Sequence, residues 1–203
     1  MRDLRVRLYV ALAGALGQKL PQPVPVEVAS ALMSAAADPA APATQVIAIR
    51  AIDAIPESAR PDGSARLAVT RVAMAAVPSR MAYDVTEFSV APGTPVCITL
   101  SNPDTLQHNL LLVAPRALSE IGLAGDKMGE TAAGKACHFT PDSPKVLAVM
   151  GLVEPKATGE VWFVAPTKPG TYPYVCTYPG HWRMMNGKMK VTAPADSKGD
   201  SKT

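Results

Sequence analysis

Residues 172–189 read YPYVCTYPGHWRMMNGKM. This short segment holds one of the chain's three cysteines, one of its three histidines and three of its nine methionines. TYPYVCTY alternates as a half-buried strand does, and GKMKVTA begins a second strand after the break. Pro179-Gly180 forces a turn between them. A turn placed there brings His181 back beside Cys176, which ends the first strand, and sets Met185 at the start of the second. A single cysteine on a strand is ordinarily a small buried hydrophobe. A cysteine, a histidine and a methionine gathered by one strand–turn–strand unit form a ligand set instead.

A thiolate, imidazoles and a distant thioether are the donors of a mononuclear blue copper site, and that set needs a second histidine. Only His108 and His138 remain. His108 lies in SNPDTLQHNLLLV, where a loop enters an apolar strand, a rigid place from which to hold a ligand far away in sequence. His138 reads as a surface-loop residue. Met184 is the rival of Met185 for the thioether position. Zinc also accepts one cysteine and two histidines.

The same strand–turn pattern extends backwards. RLAVTRVAM, DVTEFSV, VCITLSN, HNLLLVAP, KVLAVMGLV and GEVWFVAP read as strands, separated by APGTP, NPDT, PDSP and KPGT. With the final pair they make about eight short strands, the signature of a two-sheet sandwich. ALSEIGLAGDKMGETAAGK interrupts them as a helical insertion. The composition, 48% hydrophobic over 203 residues, supports a substantial core. A net charge of +3 with scattered Lys and Arg offers no nucleic-acid surface. No run reaches the ~18 apolar residues of a membrane-spanning helix.

The first 60 residues differ from the rest. MRDLRVRLYVALAGALG carries basic residues and then an apolar run, as a signal peptide does, but Asp3 interrupts its charged region. It reads better as an amphipathic helix capped by Asp3 and ended by Gly17. PVPVEVASALMSAAAD and ATQVIAIRAIDAIP read as two further helices, Thr44 capping the latter. Such short Ala-rich helices bury little alone. They form either a small appendage or the end of a HEAT-like array. ESARPDGS is the linker, giving a helical segment at 1–60, a β domain at 61–194 and a disordered tail at 195–203.

The residues now carry a resemblance. Asn-x5-His-Asn before an apolar strand, with Cys-x4-His-x3-Met late in the chain, resembles an azurin- or auracyanin-type cupredoxin. MAYDVTEFSVAPGTPV, NPDTLQHNLLLVAP, PDSPKVL and PGTYPYVCTYPGHWRMMNG are closer still to the cupredoxin domain that ends certain large bacterial multi-domain dehydrogenases. The resemblance implies a mainly β fold, a Greek-key β-sandwich with a helical insertion, preceded here by the small helical segment. It implies one type 1 copper ion held by His108, Cys176 and His181, with Met185 axial. Gln107 matches the position whose backbone carbonyl faces copper, and Asn109 and Thr177 match a pair that ties the two ligand loops together. It also implies a periplasmic or extracytoplasmic setting and redox partners such as a cytochrome or a dehydrogenase domain.

Three functions follow: electron transfer, copper enzymology, and copper carriage or storage. With two histidines used at one site and one left over, a further catalytic copper centre has no ligands, so the chain is expected not to be an enzyme. The nine methionines are dispersed, which favours a relay over a carrier. Pro179, Trp182, Arg183 and Met184 surround His181 as an expected docking patch, unless Trp182 is buried under the helical insertion. Cys97 and Cys137 are expected either as two free thiols or as a disulfide.

Overall fold

The computed structural model describes residues 25–192. The expectations for residues 1–17 and for the 195–203 tail lie outside the described residues. Among the described residues two helices come first, α1 (Val26–Ala36) and α2 (Pro42–Asp53). Thr44 does not cap α2. The helix starts two residues earlier with Pro42 in its first turn, where the ring presets φ and the missing N–H is no loss. Two 3₁₀ turns follow, at Glu57–Ala59 and Ser64–Leu67. The second takes Arg66 and Leu67 out of the strand expected to begin there. Gly63 precedes it at φ +77°, a conformation that suits glycine, so the chain turns before it extends.

Nine strands follow among the described residues: β1 (Thr70–Val77), β2 (Ala82–Tyr83), β3 (Glu87–Val90), β4 (Pro95–Ser101), β5 (His108–Val113), β6 (Val146–Val153), β7 (Thr158–Val164), β8 (Gly170–Val175) and β9 (Asn186–Val191). The two-residue β2 is the one the sequence pattern is too short to reveal. Between β5 and β6 lie α3 (Leu118–Met128) and α4 (Ala132–Ala136), the expected helical insertion. One sheet has the order β2-β1-β4-β7 and the other β3-β9-β8-β5-β6, with β3 parallel to β9.

Residues 25–71 with Thr94–Cys97 and Trp162–Val164 form one compact unit, and the remainder forms a second. In the first, Leu32 and Ala36 from α1 meet Ala48, Ile49 and Ile52 from α2, and Trp162 and Val164 pack on this cluster. The Arg50 and Arg71 guanidiniums lie 5.5 and 5.3 Å from the Trp162 ring centre. In the second, β5 is buried at every position, which explains why its LLLV is a continuous apolar run rather than an alternating one. Leu111 and Val113 join Ala117, Ile121 and Trp182 in a cluster under α3. Leu110 and Leu112 point to the opposite face by the period of two. Tyr83 and Tyr174 meet at 5.6 Å between ring centres, and Tyr83 Oη donates to the Asn109 carbonyl at 2.6 Å.

Candidate metal centre

Strand pairing sets the site. β8 and β9 are an antiparallel hairpin whose last pair is Val175↔Asn186, so residues 176–185 are its connecting loop. β5 runs antiparallel beside β8, with Leu112↔Tyr174 and Leu111↔Val175 in register. Carried two residues further, that register places Asn109 opposite Thr177. The first residues of β5 and the start of the hairpin loop therefore lie at the same end of the sheet.

Within the loop, Gly180 takes φ +86°. His181 N–H donates to the Tyr178 carbonyl at 3.0 Å, closing the turn, and Met185 N–H donates to the His181 carbonyl at 2.8 Å. Cys176 N–H in turn donates to the Met185 carbonyl at 2.9 Å. The loop thus folds back on itself and staples Met185 beside both Cys176 and His181. Cys176 Sγ lies 3.6 Å from His181 Nδ1 and 4.0 Å from His108 Nδ1. The three donor atoms lie within 4.8 Å of one another, and all three residues are buried. The two imidazoles stand 5.1 Å apart, tilted by 44°.

The electrostatics suit a soft metal ion. Burial pushes the Cys176 thiol up to about 12, although hydrogen bonding from the Asn109 and Tyr178 backbone opposes it. A coordinated metal ion deprotonates such a thiol outright. Burial, and then neighbouring His108, drive His181 down to about 4. Burial likewise lowers His108, partly offset by Asp104. Both rings are therefore neutral near pH 7 with lone pairs available to a metal.

Asn109 ties the two ligand-bearing segments together. Its Oδ1 accepts the Thr177 N–H at 2.7 Å, and its Nδ2 donates to Thr177 Oγ1 at 2.8 Å and to the His138 carbonyl at 2.7 Å. Thr177 Oγ1 donates onward to the Phe139 carbonyl at 2.8 Å. Gln107 lies one residue before β5, with its side-chain amide on Glu154. Met185 is fully buried and Met184 is 67% exposed. His138 is exposed and its Nδ1 accepts the Leu152 N–H at 3.0 Å. No disulfide joins Cys97, buried in β4, to the exposed Cys137.

Two acidic residues at the site went unread in the sequence. Asp104 Oδ2 sits 3.2 Å from His108 Nε2, and both residues are buried. In NPDT it reads as a turn former, and only its position four residues before His108 hints at more. Asp126 comes from α3, far away in sequence. Its Oδ1 accepts the Gly180 N–H at 2.7 Å, and its Oδ2 accepts Trp182 Nε1–H at 2.7 Å and an Arg183 N–H at 3.2 Å. Burial works against charge at Asp126, but these donors outweigh it and hold the carboxyl below its usual range. Trp182 is only 9% exposed and packs under α3. The docking patch expected around His181 therefore loses Trp182 and keeps Met184, Arg183 and the Pro179-Gly180 turn at the surface.

The family model of copper binding proteins of the plastocyanin/azurin family matches residues 70–192. The chain belongs to this family. Auracyanin-A of Chloroflexus aurantiacus is 36% identical over 113 residues, which span 55% of this chain and 67% of that relative. Auracyanin-B of the same organism is 32% identical over 124 residues, 60% of this chain and 52% of its own length. The solved structure of auracyanin A, described as a "blue" copper protein, superposes with a TM-score of 0.55 at 32% identity, over 62% of this chain and 100% of that one. The cupredoxin sandwich expected from the sequence is thus the observed fold. His108, Cys176 and His181 are positioned as a type 1 copper site for one ion. Membership of this family makes the chain a copper-binding electron-transfer protein in the broad sense. Among the described residues no helix is long and apolar enough to cross a membrane.

Proposed function

We propose that the chain is a one-electron relay, not an enzyme, working in a periplasmic or extracytoplasmic compartment with redox proteins such as a cytochrome or a dehydrogenase domain. The observation that carries this reading is the preassembled donor set. Cys176 and the two imidazoles already converge within 4.8 Å, held by Asn109 and the loop's own backbone bonds. Bound copper supplies a one-electron Cu(I)/Cu(II) couple there. A protein frame that holds the ligands still keeps the structural change, and hence the barrier, small. We assign residues 61–194 to the copper domain and 1–60 to a helical segment.

Electrons leave through His181 in this reading. It is buried at 3% exposure, but Met184 beside it is exposed, and a small apolar surface suits a brief, weak encounter. The test is the electron self-exchange rate of the copper-loaded protein, measured by NMR line broadening alongside copper loss to a chelator. Rapid self-exchange with copper retained for hours is the expected result, and Met184→Glu should slow self-exchange while leaving the visible spectrum unchanged. Slow self-exchange with ready copper loss would make the chain a copper carrier or storage protein instead.

In this proposal Met185 would supply the weak thioether donor to a bound copper ion, and the Gln107 backbone carbonyl would offer a further oxygen. Full burial of Met185, against the exposure of Met184, supports the choice. Met185→Gln replaces a thioether with a harder oxygen donor, which favours Cu(II). The reduction potential of that variant should fall by roughly 100 mV or more, equivalent to a ~50-fold shift in a one-electron couple. Met184→Gln should leave it unchanged, and the reverse pattern in voltammetry would reassign the ligand.

A further inference from the structure

The ligand His108 has a buried acidic neighbour. Asp104 is 3% exposed and His108 is wholly buried. Oδ2 of Asp104 faces His108 Nε2 at 3.2 Å and accepts the Ser79 N–H at 3.3 Å. Oδ1 accepts the Thr105 N–H at 2.7 Å and lies 3.4 Å from the Thr105 hydroxyl. The Asp104 N–H is itself fixed on Asn102 Oδ1 at 3.1 Å, while Asn102 Nδ2 grips the Leu106 and Val153 carbonyls at 2.8 and 2.9 Å.

Apart from the His108 ring, whose role follows its tautomer, every partner of the carboxylate is a donor, and these donors reach both oxygens as they would an anion. Among the described residues the ion pair of Asp104 is with His108 and with no Lys or Arg. Lys156 Nζ donates to the Pro103 carbonyl next door instead. A negative charge is therefore held in the turn before β5, beside Nε2 of the imidazole, while Nδ1 is the ring nitrogen nearest Cys176 Sγ.

We propose that Asp104 is the positioning residue of this centre, fixing His108 as the Nε2–H tautomer with Nδ1 free for the metal, and that its charge holds the reduction potential down. A ligand's outer N–H bonded to a carboxylate fixes the ring and raises its basicity. A fixed negative charge a few ångströms beyond the ring also favours the more positive oxidation state of whatever ion Nδ1 holds. Asn109 acts differently, because it is neutral and binds backbone and hydroxyl groups.

The tautomer is read without metal, by long-range ¹H–¹⁵N correlation NMR of the apoprotein. His108 should carry its proton on Nε2, and a proton on Nδ1 would overturn the positioning role. The charge is read by voltammetry of copper-loaded Asp104→Asn, which keeps the side chain's size and an acceptor oxygen. The Cu(I):Cu(II) ratio at fixed potential should rise at least about tenfold, an upward shift of about 59 mV for a one-electron couple, with the visible band kept. A potential that shifts less than threefold would overturn the charge role. Should the Asn variant fail to fold, Asp104→Glu and Asp104→Gln form a pair of equal length, and the same tenfold difference is expected between them. The inference rests on the copper reading, yet the two fail separately: a wild-type protein that develops no blue band would sink that reading, while the apoprotein NMR would still decide the tautomer.

Discussion

Cys176→Ser is expected to abolish the intense visible band that the wild-type protein develops on addition of Cu(II). The band of a blue copper site arises from charge transfer between a soft thiolate and the metal, and a hydroxyl oxygen is neither soft nor easily ionised. Cys176 is the thiol whose Sγ lies within 4.0 Å of both candidate imidazoles. The loss should not reflect a collapsed fold. The loop is closed by backbone bonds at His181, Met185 and Cys176 N–H, none of which uses the sulfur, and a serine hydroxyl can accept the backbone donors now facing Sγ. Cys97→Ser and Cys137→Ser serve as controls and should keep the band at full strength. Absorption and electron paramagnetic resonance spectra of the three variants decide the matter, and a band that survives in Cys176→Ser would show the thiolate to be elsewhere.

The convergence of His108, Cys176 and His181 was legible in the sequence because much of its geometry is local. Cys176, His181 and Met185 share one hairpin loop, so their spacing alone limits how they can meet, and His108 starts a strand that is buried at every position. The sandwich was legible for a similar reason: period-two runs and Gly/Pro turns are short-range signals. What failed to show is what depends on tertiary docking. Asp104 looks like any turn aspartate until strand pairing turns His108 Nε2 towards it. Asp126 lies 54 residues before Gly180, and no pattern in α3 announces that its carboxylate caps the ligand loop. Trp182 looks like a surface aromatic in a loop because the surface that covers it belongs to another element. Arg66-Leu67 reads as strand, but the left-handed Gly63 turns the chain into a 3₁₀ turn first.

The seat of α3 on the ligand loop leads to the other large expected effect. Two glycines of that helix, Gly122 and Gly125, are both buried. A Cβ on Gly122 would stand 2.3 Å from Trp182 Cδ2 and 2.4 Å from its Cγ, and one on Gly125 would stand 2.7 Å from the Thr177 carbonyl oxygen. Neither neighbour is a flexible chain end. Trp182 is pinned by its Nε1–H on Asp126, and Thr177 by Asn109. Gly122→Leu must therefore lift α3 or expel the indole. Overpacking of this kind costs about 1–3 kcal/mol or more, even though leucine is the better helix former by about 1 kcal/mol at that position. The lift also pulls the Asp126 carboxylate away from Gly180, Trp182 and Arg183, and so releases the turn that aims His181. The expected result is a fall in melting temperature together with copper loss to a chelator at least about tenfold faster than in wild type. Leu123→Ala is the control, because Leu123 is 45% exposed on the same helix and should change neither quantity appreciably. If Gly122→Leu keeps both the wild-type melting temperature and the wild-type rate of copper loss, α3 does not hold the ligand loop.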